Sequence, residues 1–404
     1  MATGDDRHDL WQPQARVDPL PILAGLRREA PVVRLFNPHQ GAPEWVVTRY
    51  AGAVELLRDP RFVKDPRKLS DQARGRYFRV SELGELDRHM LFSDPPEHTR
   101  LRALVSKAFT PRRVEAMRPT VTTIATRLLD DARQTGDDGD LLDRFAFPLP
   151  IAVIAELIGI PLGDQEQFRK WTTVLVSPPT DGDFSALRRM ATEFQAYLTD
   201  FLKLRRAHPR DDLTGALIAV EEHEDRLSPV ELMSMIFLLV AAGYETTGNL
   251  IGNGVWALLR HPDQWERLRA DPALIAGAVE ETLRYCGPVK NTTGAFALEP
   301  IDFAGHLIPA EELVVASLLS AHHDPAQFPE PERFDITRTP NRHLGFGLGI
   351  HFCLGAPLAR MEAAVALGLL ARRSPDLCFA EDPSTFRWRD GVFVHGLERL
   401  PVRW

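Results

Sequence analysis

A stretch that opens on Ser228-Pro-Val-Glu231 and keeps helical periodicity to Arg260 constrains the fold more than any other part of this chain. Serine supplies an N-cap, proline suits the first helical position, and glutamate three residues after the serine completes a capping box. At about 1.5 Å per residue the helix is a rod of roughly 50 Å. Its middle, Met235-Ile-Phe-Leu-Leu-Val-Ala-Ala242, is apolar on every face. Gly243, Glu245, Thr246 and Thr247 follow at once, too soon for the ~20 apolar residues of a membrane span. Such a helix belongs in the middle of a large core, and the rest of the chain must surround it.

The chain can do so. It has 404 residues, 44% of them hydrophobic and 26% charged. No Ser/Gly linker, low-complexity tract or repeat divides it, so one large domain over residues 1–404 is expected, with a partly flexible stretch over residues 1–20. A net charge of -8 argues against nucleic acid as a partner, because phosphate binding needs clustered surplus Lys and Arg. The opening MATGDDRHDLWQPQARVDPL carries no apolar segment, which leads to the expectation of a cytoplasmic protein without membrane attachment. Three widely spaced cysteines, Cys286, Cys353 and Cys378, suit a reducing compartment and make no disulfide framework.

Around the central helix the pattern is mainly α with a minor sheet. A short helix leads to two β-branched runs, 32–36 and 44–48. Apolar residues then recur at three- and four-residue spacing over 111–132, 184–204 and 277–285. Short strand-like runs return at 295–298, 313–316 and 392–394.

The segment HLGFGLGIHFCLGAPLAR, residues 343–360, alternates glycines and then delivers a cysteine just before a helix expected over 357–373. A dinucleotide phosphate loop fails here, since Ile350 and Phe352 stand where the third glycine of G-x-G-x-x-G belongs and no βαβ unit surrounds it. Zinc on His351, Cys353, His322 and His323 lacks the paired spacing of a zinc site. The glycines instead let the backbone turn tightly against a flat ligand, and the helix start favours the thiolate form of Cys353. Cys286 and Cys378, without such context, are read as small buried hydrophobes.

Phe346-Gly-x-Gly-x-His-x-Cys-x-Gly355 resembles the haem-ligand signature of the cytochrome P450 family at every fixed position, with His351 where many members have arginine. Ala242-Gly-Tyr-Glu-Thr-Thr247 is similar to the family's oxygen-activating groove, and Glu281-Thr-Leu-Arg284 to its E-x-x-R. Pro331-Glu-Arg-Phe334 resembles the segment whose arginine joins that ion pair, and residues 94–102 resemble the haem-facing helix of soluble bacterial members. These segments also come in the family's order.

The resemblance implies haem b held between the central helix and the cysteine-loop helix, with Cys353 as axial ligand pushing electron density onto the iron. It implies that Phe346, Gly347 and Gly355 shape the loop and that His98, Arg102 and His351 bind the propionates. His98 and Arg102 are four apart and share a helical face. Ala295 stands where relatives usually carry another propionate-binding arginine, and water or another side chain is expected to satisfy that contact. Thr246 and Glu245 would manage dioxygen and relay protons, Gly243 giving a distorted turn that leaves room for them. Glu281, Arg284 and Arg333 would form a three-way charge network that fixes the cysteine loop.

The activity implied is that of a monooxygenase that hydroxylates or epoxidises a hydrophobic small molecule with dioxygen, taking electrons from a ferredoxin and its reductase. Lys107, Arg112, Arg113, Arg342 and Arg360 would supply basic charge for the donor. The pocket would be lined by the segments 63–91 and 168–187 together with Leu91, Leu239, Ala242, Val289, Thr293 and Phe393. Residues 299–303 and 396–404 resemble actinobacterial tailoring enzymes of polyketide and macrolide biosynthesis, and a monomer is expected. A peroxide-driven enzyme and a catalytically silent haem-binding scaffold are the rival readings.

Overall fold

The structure is a computed structural model that describes residues 17–38, 41–77, 84–176, 185–221, 227–389 and 393–404, together with residues 10 and 15. Contacts divide the chain into two compact units. One comprises Met1–Val63, Ala125–Pro148 and Thr246–Trp404, and the other Lys64–Ile124 and Leu149–Glu245.

The first unit carries the sheets. Val32–Asn37 pairs antiparallel with Ala42–Val47, as the two β-branched runs predict. Ala42–Val47 then pairs parallel with Leu313–Ala316, followed by Ala295–Ala297 and Phe62–Val63, giving five strands. Their inward side chains form a core of Val32, Val47, Phe62 and Val314 with Ala53 and Leu344. Leu344 begins the cysteine loop, so the sheet core anchors the loop at its entry. Smaller sheets join Asp138–Asp140, Pro401–Arg403 and Cys378–Phe379, and Ile301–Phe303 with His306–Ile308. Helices Ile275–Cys286 and Ala356–Arg373 complete the surroundings of the site.

The second unit is helical. The rings of Phe168, Trp171, Phe194 and Phe237 meet at centroid distances of 5.9 to 6.1 Å and join Gln165–Val176, Ser185–Ala207 and the amino-terminal part of the central helix. The central helix spans Pro229–Arg260. Its capping box is formed: the Ser228 N–H donates to Glu231 Oε2 over 2.7 Å, and the Glu231 N–H donates to Ser228 Oγ over 3.2 Å. By length and composition this helix could cross a membrane. Residues 232–240 are instead all buried within protein.

Two expectations change. The run 111–132 is two helices, Pro111–Ala116 and Arg118–Gln134. Pro119, inside the periodic pattern, has no N–H to donate, and its ring opposes the carbonyl four residues back. Cys378 is exposed on its strand, whereas Cys286 is buried as expected, with burial raising its thiol far above the usual range. The run 392–394 falls partly outside the described residues, as do most of residues 1–20; Val394 forms a lone bridge to Val289.

Candidate active site

The cysteine loop turns on two glycines in the left-handed region, Gly347 at φ 70° and Gly349 at φ 74°. A Cβ at Gly349 would stand 2.7 Å from the Leu57 carbonyl oxygen, so space as well as conformation demands glycine there. The Gly347 N–H donates to the Leu344 carbonyl over 2.8 Å, and the Cys353 N–H to the Phe346 carbonyl over 2.9 Å. These bonds close the loop and bring Cys353 just ahead of Ala356–Arg373, capped by Gly355 with a proline in its first turn. The helix dipole at that end favours thiolate. Phe346 is buried, with the Arg360 guanidinium 4.5 Å from its ring centre. His351 is half-buried in the 3-10 turn Gly349–His351.

In the second unit, Glu97–Ala108 carries His98, which is 2% exposed, and half-buried Arg102. Burial, and then the Arg102 charge, lowers the His98 imidazole below its ordinary value. An imidazole N–H of His98 and the Arg102 guanidinium lie on one helical face, where both can donate to one anion.

The central helix departs from uniform burial in one place only among its described residues near the motif. After the buried run 232–240, Ala242 is exposed and Gly243 and Thr246 are half-buried, while Glu245 and Thr247 are buried. Ala242 and Thr246 are four apart and share a face. The helix runs through this stretch without a 3-10 or π turn. Small side chains line the accessible stripe.

Glu281 and Arg284 have no exposed side-chain surface and pair bidentately, Nη2–Oε1 at 2.7 Å and Nε–Oε2 at 2.9 Å. The third member differs from expectation. The Arg333 side chain is 56% exposed, 3.5 Å from Glu330 and 3.6 Å from Asp335, and only its carbonyl joins the network by accepting from Arg284. Arg338 takes its place, donating from Nε to Glu281 Oε1 over 3.1 Å, with its side chain 10% exposed. Asn341 Nδ2 and the Asp335 N–H donate to the same carboxylate, both over 3.0 Å. The carboxylates of Glu330 and Asp335 draw Arg333 outward. An inward Arg333 would take this cation from Glu330, whereas Asp335 would keep Arg267 and Thr337.

Sequence reasoning also missed Glu280, His343 and His322, which brace the loop. The Leu344 N–H donates to His322 Nε2 over 2.8 Å, and His343 Nε2 lies 3.0 Å from Glu280 Oε2. The only signal was the second carboxylate beside Glu281.

Among the pocket residues, Leu239 is buried and shares a helical face with exposed Ala242, and Leu91 is half-buried. Val289 and Phe393 are neighbours: Val289 bridges to Val394, and the Lys290 N–H donates to the Phe393 carbonyl over 2.8 Å. Thr293 is half-buried. Parts of the expected linings 63–91 and 168–187 lie outside the described residues. Ala295 is buried in the sheet core beside Val47, Phe62 and Val314, so an arginine there would have to leave an apolar cluster.

The family model for cytochrome P450 matches residues 56–373. The chain is 47% identical to cytochrome P450 107B1 of Saccharopolyspora erythraea, over 93% of each chain. It is 42% identical to the polyketide biosynthesis cytochrome P450 PksS of Bacillus subtilis, over 95% of each. A crystal structure of a myxobacterial cytochrome P450 with myristic acid superposes with a TM-score of 0.93 at 47% identity, covering 97% of this chain and 98% of that one. The chain belongs to the cytochrome P450 family of oxidoreductases, which bind haem b through a cysteine thiolate. The cysteine loop fits that group: two glycines in the left-handed region let the backbone lie close to a flat ligand, and a cysteine just ahead of a helix offers a thiolate.

Proposed function

We propose that residues 1–404 act as a single haem-thiolate monooxygenase domain. It inserts one oxygen atom of dioxygen into a bulky hydrophobic secondary metabolite of polyketide type, by hydroxylation or epoxidation. The observation that carries this reading is the accessible stripe Ala242, Gly243 and Thr246 in an otherwise buried helix, with Glu245 buried beside it. A buried carboxylate and a threonine hydroxyl are costly in such a helix unless they have a task.

Haem, when bound, supplies the one-electron and dioxygen chemistry. Cys353 would be its thiolate ligand and would donate electron density to it, and His98, Arg102 and His351 would hold its propionates. Glu245 takes protons from solvent and Thr246 hands them on at its hydroxyl, so that protons arrive singly. Leu239, Ala242, Val289 and Phe393 exclude water and orient the substrate, with Leu91 and Thr293 at the margin. Electrons come from a ferredoxin and its reductase in the cytoplasm, the enzyme working as a monomer. The polyketide class rests on the PksS relative and on the largely apolar residues proposed to line the pocket.

The test is the visible spectrum of the reduced protein with carbon monoxide, followed by titration of the oxidised protein with hydrophobic metabolites. A thiolate-type Soret band that is lost in Cys353→Ala, with one metabolite shifting the iron to high spin, is expected. A band typical of neutral or histidine ligation removes Cys353 as ligand. Turnover with peroxide and none with ferredoxin and reductase moves the function to the peroxide-driven class.

A further inference from the structure

The helix Ile275–Cys286 carries two consecutive carboxylates with different partners. Glu281 lies in the buried network with Arg284 and Arg338, whereas Glu280 braces the cysteine loop. Arg360 grips Glu280 bidentately, Nε–Oε1 at 2.7 Å and Nη2–Oε2 at 2.9 Å. His343 Nε2 lies 3.0 Å from Glu280 Oε2. Burial pushes the Glu280 carboxyl up, but hydrogen bonds from Arg360 and then His343 outweigh it and hold the group at about 2. It is therefore an ionised acceptor, and His343 must donate to it from Nε2.

That assignment leaves a lone pair on His343 Nδ1, which accepts the Gly345 N–H over 3.1 Å. One carboxylate thus fixes the imidazole that holds the loop entry and the guanidinium beyond its exit. Arg360 packs over Phe346, whose carbonyl accepts the Cys353 N–H over 2.9 Å. The Arg360 charge therefore lies over the ring of the residue whose carbonyl holds the Cys353 N–H.

We propose that Glu280 is a positioning residue for the Cys353 ligand, pairing with Arg360 so that this cation does not act unbalanced on the sulfur, and so setting the electron donation of the thiolate. The inference rests on the reading of Cys353 as the haem ligand. An unbalanced cation beside the thiolate favours the reduced iron, and an unbalanced carboxylate opposes it. A role in loop shape alone has no reason to give opposite signs at the two partners.

The test is an equilibrium redox titration of the haem-loaded protein with soluble mediators, which does not depend on docking of an electron donor. Glu280→Gln is expected to shift the midpoint potential upward and Arg360→Gln downward, with the double variant nearer the wild type than either. All should keep a thiolate-type band with carbon monoxide. Shifts of the same sign, or none, in variants that keep that band overturn the proposal. Should Glu280→Gln lose haem, Arg360→Lys reads the same coupling: it keeps the charge but loosens the pair, so an upward shift supports the proposal and a downward or absent one overturns it. A wild-type band without thiolate character rejects the ligand reading itself, and that failure is distinct from a failure at Glu280.

Discussion

Glu281 and Arg284 are removed from water altogether, so each needs every partner it has. Glu281 receives Arg284, Arg338, Asn341 and the Asp335 N–H, while Arg284 reaches the carbonyls of His322, Pro331 and Arg333. Taking one partner from a buried pair costs about 3–5 kcal/mol, whereas an exposed ion pair contributes less than about 1. Arg338→Ala is therefore expected to cost about 3 kcal/mol of stability, its remaining neighbours softening the loss, and Arg333→Ala less than about 0.5. Urea unfolding of the two variants checks this; equal costs would contradict the placement of Arg338 in the network. The sequence shows the helical spacing of Glu281 and Arg284 but not which of two arginines five residues apart turns inward. That choice depends on where Glu330, Asp335 and the loop carbonyls lie, which no local pattern records. For the same reason the sequence does not single out Glu280, whose partners His343 and Arg360 lie 63 and 80 residues further on.

Within the cysteine loop, Gly347 and Gly349 share a left-handed conformation but differ in surroundings. A Cβ at Gly347 meets nothing nearer than the His351 carbonyl oxygen at 3.9 Å, whereas one at Gly349 meets the Leu57 backbone at 2.7 Å. Gly347→Ala should cost only the conformational penalty of about 1–2 kcal/mol. Gly349→Ala adds a collision with backbone that cannot swing away, and a cost at least about 1 kcal/mol greater is expected from the overpacking. Thermal unfolding of the two variants measures the difference, and equal midpoints would show that the Leu57 segment yields freely. Elements of this kind were legible where their signal was local. The capping box at Ser228, the β-branched run at 32–36 and the glycine spacing all read correctly because each depends on neighbours in sequence. The run 111–132 was misread because hydrophobic periodicity continues through Pro119 although the backbone bonding cannot.

For the whole molecule, groups taken out of water set the pH range of stability. Burial lowers His89 to about 4, His323 and His395 to about 3, and His322 well below the ordinary value. Unfolded, each binds a proton near pH 6.5, so their contribution is complete above about that pH and is lost as pH falls toward the folded values. The buried acids oppose them. Burial alone raises Glu362 from 4.5 to about 8 and Asp87 from 3.8 to about 7. One Glu362 oxygen has no hydrogen-bond partner among the described residues. These acids stay protonated in the folded chain, so their contribution is present below their unfolded values and shrinks as pH rises toward the folded ones. Between about pH 4.5 and 6.5 the imidazoles outnumber the acids, and above that range only the acids of this set still titrate, which places greatest stability near pH 6.5. Glu362→Gln keeps the shape and removes the titration, so whatever fixed cost the amide carries cancels when pH is varied. Relative to the wild type the variant should gain roughly 4 kcal/mol between pH 5 and 8, at about 1.4 kcal/mol per pH unit. Unfolding free energies measured across that interval decide the point: curves that stay parallel would mean that Glu362 is already ionised in the fold, with a partner that its carboxyl oxygens must then find inside the protein.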